Sequence, residues 1–160
     1  MARHGYAGPA SSDPKIEMSR PLLPEGIATI TAMADAMWTA GEIPNSIFCS
    51  PYQRTIDTAI IYGKKFGVNV AALGDLAPIR PLTPGLVDLV GSKGREKLKR
   101  VMLVCHVDNT TPTMRDLDDG DWAKLVMGEV RRVSMSRKDL SWKLKWGLKP
   151  SDIGLRDRAT

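Results

Sequence analysis

Histidine, cysteine and phenylalanine are scarce in this chain, with two of each among 160 residues. The cysteines, Cys49 and Cys105, each close an apolar run and read as buried thiols of a reducing compartment, not as a disulfide framework. No stretch approaches the roughly 20 apolar residues that span a bilayer. The amino terminus has neither a basic segment nor an apolar one of the signal-peptide kind. No membrane association is therefore expected, and the expected location is cytoplasmic. Spaced histidine or cysteine ligands are missing too. The acidic stretch Asp118, Asp119 and Asp121 beside Trp122 thus reads as a solvated loop, with no metal site.

Positive charge is in modest excess, 23 Lys and Arg against 18 Asp and Glu, which gives +5 and a pI near 9.4. The basic residues gather in 93–100 and 131–149. Aromatic residues do not interleave the first cluster, so these read as solvated helix and strand faces, and a nucleic-acid partner is not expected.

Hydrophobic residues at 42% and charged ones at 26% suit one compact domain long enough to bury its own core. Residues 1–150 are expected to form it, with 151–160, including Asp157, Arg158 and Thr160, as a loose tail. Residues 6–19 have the Gly, Pro, Ser and Asp content of a surface loop. Ile27, Ile30, Met33, Ala34, Met37 and Trp38 recur at helical spacing and predict a buried face ending at Gly41. Leu23, just ahead of that helix, has no hydroxyl with which to cap it. Ile47-Phe48-Cys49 is a short strand, followed by a helix with Ser50 as N-cap and Pro51 at its first position, running to Phe66 and stopping at Gly67. Residues 68–73 form another short strand. A helix is expected over 81–90. The loop Gly91-Ser92-Lys93-Gly94 lacks the spacing of a phosphate-binding loop. Val101 to Cys105 is the clearest buried strand. Two terminal strands follow, over 129–135 and 140–146. In the second, Leu140, Trp142, Leu144 and Trp146 alternate with Ser141, Lys143 and Lys145, so one face should be buried and the other basic. The alternation of strands and helices predicts an α/β three-layer sandwich with a mostly parallel central sheet flanked by helices.

The two histidines stand out by position. His4 lies in Arg3-His4-Gly5, behind only Met1 and Ala2, so the first strand is expected to be truncated. His106 follows Val101–Cys105, at the carboxyl end of a strand, where open α/β sheets place their ligands. Arg54 lies in the first turn of its helix, beside free backbone N–H groups and the positive end of the dipole, where an anion is favoured. An ion pair with Asp57 or Asp75 is the alternative use for Arg54. A neutral imidazole attacks phosphorus well near pH 7, and arginine forks bind phosphoryl oxygens in pairs.

Taken in order, Arg3-His4-Gly5, Arg20-Pro21-Leu22 with Gly26, Ser50-Pro51 with Arg54 and Thr58-Ala59, and then His106, the sequence resembles the histidine phosphatase superfamily. The likeness is greatest to its short phosphohistidine-phosphatase branch and extends through Leu76, Pro78, Trp142 and Pro150. It implies a metal-independent phosphatase without cofactors, acting on a phosphorylated small molecule or a phosphohistidine protein. His4 would be the nucleophile. Arg3, Arg54 and His106 would bind the phosphoryl oxygens, His106 as a hydrogen-bond donor. Asp75 matches a position that is often glutamate in this branch. It is a candidate general acid, and a loop carboxylate is the competing reading. The pattern departs from relatives at Tyr6, often acidic, at Leu23, usually threonine, and at the polar residues 108–111. A phosphatase-like module that binds a phosphorylated ligand without turnover is the alternative function.

Overall fold

The computed structural model describes residues 1–78, 99–107, 125–135 and 142–158. The expected helix over 81–90, the Gly91–Gly94 loop, most of the polar stretch after His106, the acidic Asp118–Asp121 loop with Trp122, and Thr160 lie outside the described residues.

The described strands are β1 (Ala2–Arg3), β2 (Ser46–Cys49), β3 (Val70–Ala72), β4 (Val101–Cys105), β5 (Val130–Met135) and β6 (Trp142–Leu148). They form one sheet in the order β3-β2-β4-β1-β5-β6. Its helices are α1 (Pro14–Ser19), α2 (Pro24–Thr39) and α3 (Gln53–Phe66). β3, β2, β4 and β1 run parallel, whereas β5 is antiparallel to β1 and β6 antiparallel to β5. The sheet is therefore mixed, not mostly parallel. Too few residues separate β5 from β6 for the crossover of a dozen or more that parallel neighbours need, in keeping with their antiparallel pairing.

β4 is apolar throughout and has neighbours on both edges. Its side chains divide by the period of two: Met102 and Val104 join the core beneath α2 and α3, while Leu103 and Cys105 join a second cluster with Met1, Leu76 and Leu125. Both faces of the sheet are thus covered. β1 is short, yet it lies between β4 and β5. Its pairing runs one residue further back, through the Arg131 N–H donating to the Met1 carbonyl at 2.8 Å.

α2 starts at Pro24, with Leu23 as an N-cap that makes no side-chain bond. Ile30, Met33, Ala34 and Met37 are buried as expected. Burial stabilises each of the larger ones by about 1.5–3 kcal/mol. Ile27 and Trp38 do not share that face; they are 46% and 49% exposed. They flank the stripe, and Trp38 instead stacks on Phe66, with ring centroids 6.4 Å apart. α3 ends where expected, at Gly67 with φ of 65° in the left-handed region. It begins two residues late, with Tyr52 as N-cap and not Ser50.

Within the expected loop, α1 forms because Asp13 accepts the Lys15 and Ile16 N–H groups and Pro14 presets the first helical φ. In β6 the alternation breaks. Lys143 and Lys145 are exposed, but so is Leu144, while Trp146 and Leu148 pack against the core. The register shift opposite Arg132 and Val133 accounts for this: Lys145 is an extra residue in β6, and it puts Leu144 and Trp146 on opposite faces. The expected loose tail is tied down over its described part. Pro150–Ile153 forms a 3-10 turn, Ser151 bonds Asp157, Arg158 pairs with Glu25, and the Met127 N–H donates to the Arg158 carbonyl.

Gly5 and Gly26 bring α2 against the turn after β1. A Cβ on Gly26 would stand 2.1 Å from the Tyr6 carbonyl oxygen, and one on Gly5 2.7 Å from Ile30 Cγ1. Backbone cannot yield as a side-chain tip does. Gly26→Ala is expected to destabilise the fold by more than about 2 kcal/mol in urea unfolding, whereas Gly8→Ala, with open space around it, stays within about 0.5 kcal/mol.

Candidate active site

The parallel register between β1 and β4 pairs Arg3 with Cys105, so the next residues, His4 and His106, emerge side by side. The His4 N–H donates to the Cys105 carbonyl at 3.1 Å, and the two rings lie 5.3 Å apart edge to face. β2 delivers Ser50 at the same carboxyl edge, where its N–H donates to the Val104 carbonyl. α3 then rises from this edge and brings Arg54 over both imidazoles.

Hydrogen bonds fix the tautomers. His4 Nδ1 is 2.8 Å from the Gly5 carbonyl, which can only accept, so Nδ1 carries the proton. Nε2 is left with its lone pair, and Arg54 Nε–H donates to it at 3.3 Å. Arg54 Nη2 is 3.2 Å from His106 Nδ1; a guanidinium has no lone pair to offer, so this nitrogen is the acceptor. His106 Nε2–H then donates to Ser50 Oγ at 2.9 Å. His106 is thus a donor towards Ser50 and an acceptor towards Arg54. Thr58 links the backbone beside His4 to α3: its Oγ1 accepts the Gly5 N–H at 3.1 Å and donates to the Arg54 carbonyl at 2.8 Å.

Both imidazoles are buried and both are neutral. Burial is the main cause, pulling His4 down to about 3 against the opposing Gly5 carbonyl; Arg54, Arg3 and Arg20 lower it further. His106 is pulled down to about 2, again by burial first, then by His4 and the same three arginines. The thiols go the other way: burial raises Cys49 to about 11 and Cys105 to about 12, which leaves both inert.

Of the residues singled out from sequence, His4, His106, Arg54 and Arg3 come together. Arg3 is buried, its Nη1 donates to the Leu125 carbonyl at 2.7 Å, and its charge is felt by both histidines. Arg54 does not pair with Asp57, whose carboxylate holds Gln53 and the Leu22 N–H. Its carboxylate partner is Glu17, with Nη2 3.1 Å from Oε1. Asp75 lies exposed on the 3-10 turn Gly74–Leu76, while its neighbour Leu76 joins the cluster containing Cys105.

Sequence reading gave no role to Glu17 or Tyr52, and placed Arg20 and Ser50 in the family pattern without a part in the site chemistry. Arg20 pairs with Glu17 at 2.5 Å. Tyr52 stands edge-on to His106 at 5.0 Å and beneath the Arg54 guanidinium at 4.8 Å. The signal for α1, and so for Glu17, was present in Asp13-Pro14. Ser50 was assigned to helix capping; its Oγ accepts the Tyr52 N–H at 3.4 Å but lies closer to His106 Nε2, at 2.9 Å, and orients that ring. Among the described residues no group of His, Cys, Asp and Glu could hold a metal ion, and no helix is long and apolar enough to cross a membrane.

This α/β sheet, with its paired histidines at the carboxyl edge, has the fold of the histidine phosphatases. Among solved structures, the protein histidine phosphatase SixA complexed with tungstate superposes with a TM-score of 0.80 at 19% identity, over 94% of this chain and 96% of that one. A protein assigned as phosphohistidine phosphatase SixA from Agrobacterium tumefaciens gives 0.74 at 18%, over 93% and 95%. The mycobacterial glucosyl-3-phosphoglycerate phosphatase gives 0.69 at 15%, over 91% and 95%. No family model matches the sequence, and no curated protein does. At these identities the likeness is one of fold.

The buried imidazoles set a pH dependence of stability. Their folded values lie below the unfolded value of about 6.5, so in that interval the unfolded chain binds more protons and stability rises with pH. Above about pH 6.5 the contribution is flat. Lowering the pH from 7 to 5 is expected to cost about 4 kcal/mol in urea unfolding, and the double variant His4→Gln/His106→Asn to lose most of that dependence.

Proposed function

We propose that this protein is a metal-independent phosphatase that hydrolyses a phosphomonoester or a protein phosphohistidine through a phosphohistidine on His4. The observation that carries this reading is the state of His4: neutral, with its proton fixed on Nδ1 by Gly5 and its Nε2 lone pair directed into a cluster of arginines. In the first step Nε2 forms a bond to phosphorus while the bond from phosphorus to the leaving group breaks in line with it. Arg3, Arg54 and His106 take the equatorial oxygens and stabilise the charge that builds there. A dianion beside His106 opposes the lowering effects of burial and the guanidiniums, and so favours uptake of a proton from solvent at Nδ1, which then donates to a phosphoryl oxygen. Water then cleaves the P–N bond and restores neutral His4.

Asp75 is the proposed acid for an alkoxide leaving group. A phosphorylated imidazole leaves without that help, since its bond is already labile. The SixA neighbours make a phosphohistidine protein the favoured substrate class, and a small phosphomonoester the other. A binding module without turnover is the second reading. It is favoured by Tyr6, which lies where relatives often carry an acid and instead holds the Arg158 guanidinium 4.5 Å above its ring.

With chelator present, the wild-type chain is expected to hydrolyse an aryl phosphate, and His4→Ala to lose at least about 1,000-fold in kcat. Arg54→Ala should lose about 100-fold or more in kcat/KM. Equal, negligible rates in wild type and His4→Ala, with phosphate still bound, would establish the binding module instead. Asp75→Asn should slow an alkyl phosphate about 100-fold and leave phosphoimidazole turnover unchanged; equal effects on both substrates would remove it from the mechanism.

A further inference from the structure

Among the described residues, Glu17 is the carboxylate that meets Arg54 and Arg20. Its Oε1 lies 2.5 Å from Arg20 Nη2 and 3.1 Å from Arg54 Nη2, its Oε2 accepts the Ser11 N–H at 3.0 Å, and its carbonyl accepts Arg54 Nη1 at 2.8 Å. Burial opposes its charge, but the Ser11 N–H and the two arginines prevail and hold it below the usual carboxylate range. The Nη2 edge of Arg54 that a phosphoryl oxygen would take is thus bonded by an anion from the chain itself.

The element that carries Glu17 is lightly held. α1 has six residues and none of them is buried; Ile16 and Met18 are 55% and 44% exposed. So short a helix is marginal alone, and apolar packing does little to fix it. Its attachment to α3 runs through charge, at Arg54.

We propose that Glu17 is a displaceable internal counter-ion: a phosphoryl ligand binds by exchanging for its carboxylate on Arg54, and α1 moves away with Glu17 still paired to Arg20. This rests on reading the cluster as a phosphoryl site. Two anions compete for one guanidinium edge, so every ligand must first break the Glu17 contact. The dianion of a phosphomonoester or phosphoimidazole outcompetes a single carboxylate because it carries twice the charge to the same fork. Glu17 therefore sets the affinity threshold of the site and keeps adventitious monoanions out.

The test is calorimetric titration of inorganic phosphate into the full chain. Glu17→Gln is expected to bind phosphate about tenfold more tightly than wild type, with the KM for an aryl phosphate falling in parallel. Glu25→Gln, which removes an exposed carboxylate paired with Arg158 outside the site, should bind as wild type does. Unchanged or weaker binding by Glu17→Gln would overturn the exchange, and weaker binding would make Glu17 a positioning residue for Arg54. In wild type, saturating phosphate should speed amide hydrogen exchange across 14–19; protection there would equally overturn it. Phosphate binding that survives Arg54→Ala undiminished would overturn the site reading itself and the exchange with it.

Discussion

The site depends on one pairing, the parallel register that sets Arg3 against Cys105. Successive residues beyond a paired position leave adjacent strands together, so His4 and His106 meet with a hundred residues of chain between them. A slip of one residue would turn every side chain of β1 to the other face of the sheet. Because β1 is only two residues long, its own ladder gives little resistance to such a slip. The register is held instead by what surrounds it: β5 on the other edge, the Arg3 N–H on the Glu129 carbonyl, the Gly128 N–H on the His4 carbonyl, and α2 pressed close where Gly5 and Gly26 have no Cβ. Packing around a short strand does here what length does in an ordinary one.

Burial and charge then act in the same direction. Removing two imidazoles from water and placing them among guanidiniums keeps both neutral, at a cost in acid that the rest of the core must offset. The hydrogen bonds use that neutrality, since each ring has one nitrogen donating and one accepting. Ser50, Gly5 and Arg54 settle which is which, and no ring nitrogen of the pair is left to water.

Much of this was legible in the sequence. The apolar run of β4, the end of α3 at Gly67 and the positions of His4, Arg54 and His106 follow from periodicity, stop signals and strand ends. Other parts were hidden because they depend on contacts made in three dimensions. Leu144 reads as inward until the extra residue of β6, Lys145, is known. Trp38 reads as core until Phe66 offers it a stacking partner at the rim. Glu17 is an ordinary acidic residue until α1 places it over Arg54. Ser50 shows where local rules mislead: serine before proline at a strand end signals a helix cap, yet the nearer partner of its oxygen is a histidine 56 residues further on. Asp75 was singled out for its place in the pattern, and the structure sets it in solvent beside a buried Leu76.

The hydroxyl of Thr58 has a mechanical consequence. It sits one turn beyond Arg54 on the same helix, and one oxygen ties the backbone beside His4 to the carbonyl of Arg54. A tilt or slide of α3 therefore carries the Gly5 backbone along with the guanidinium instead of separating them. Relative shifts of the helix layer and the sheet edge are thus resisted at the point where His4 and the Arg54 guanidinium meet.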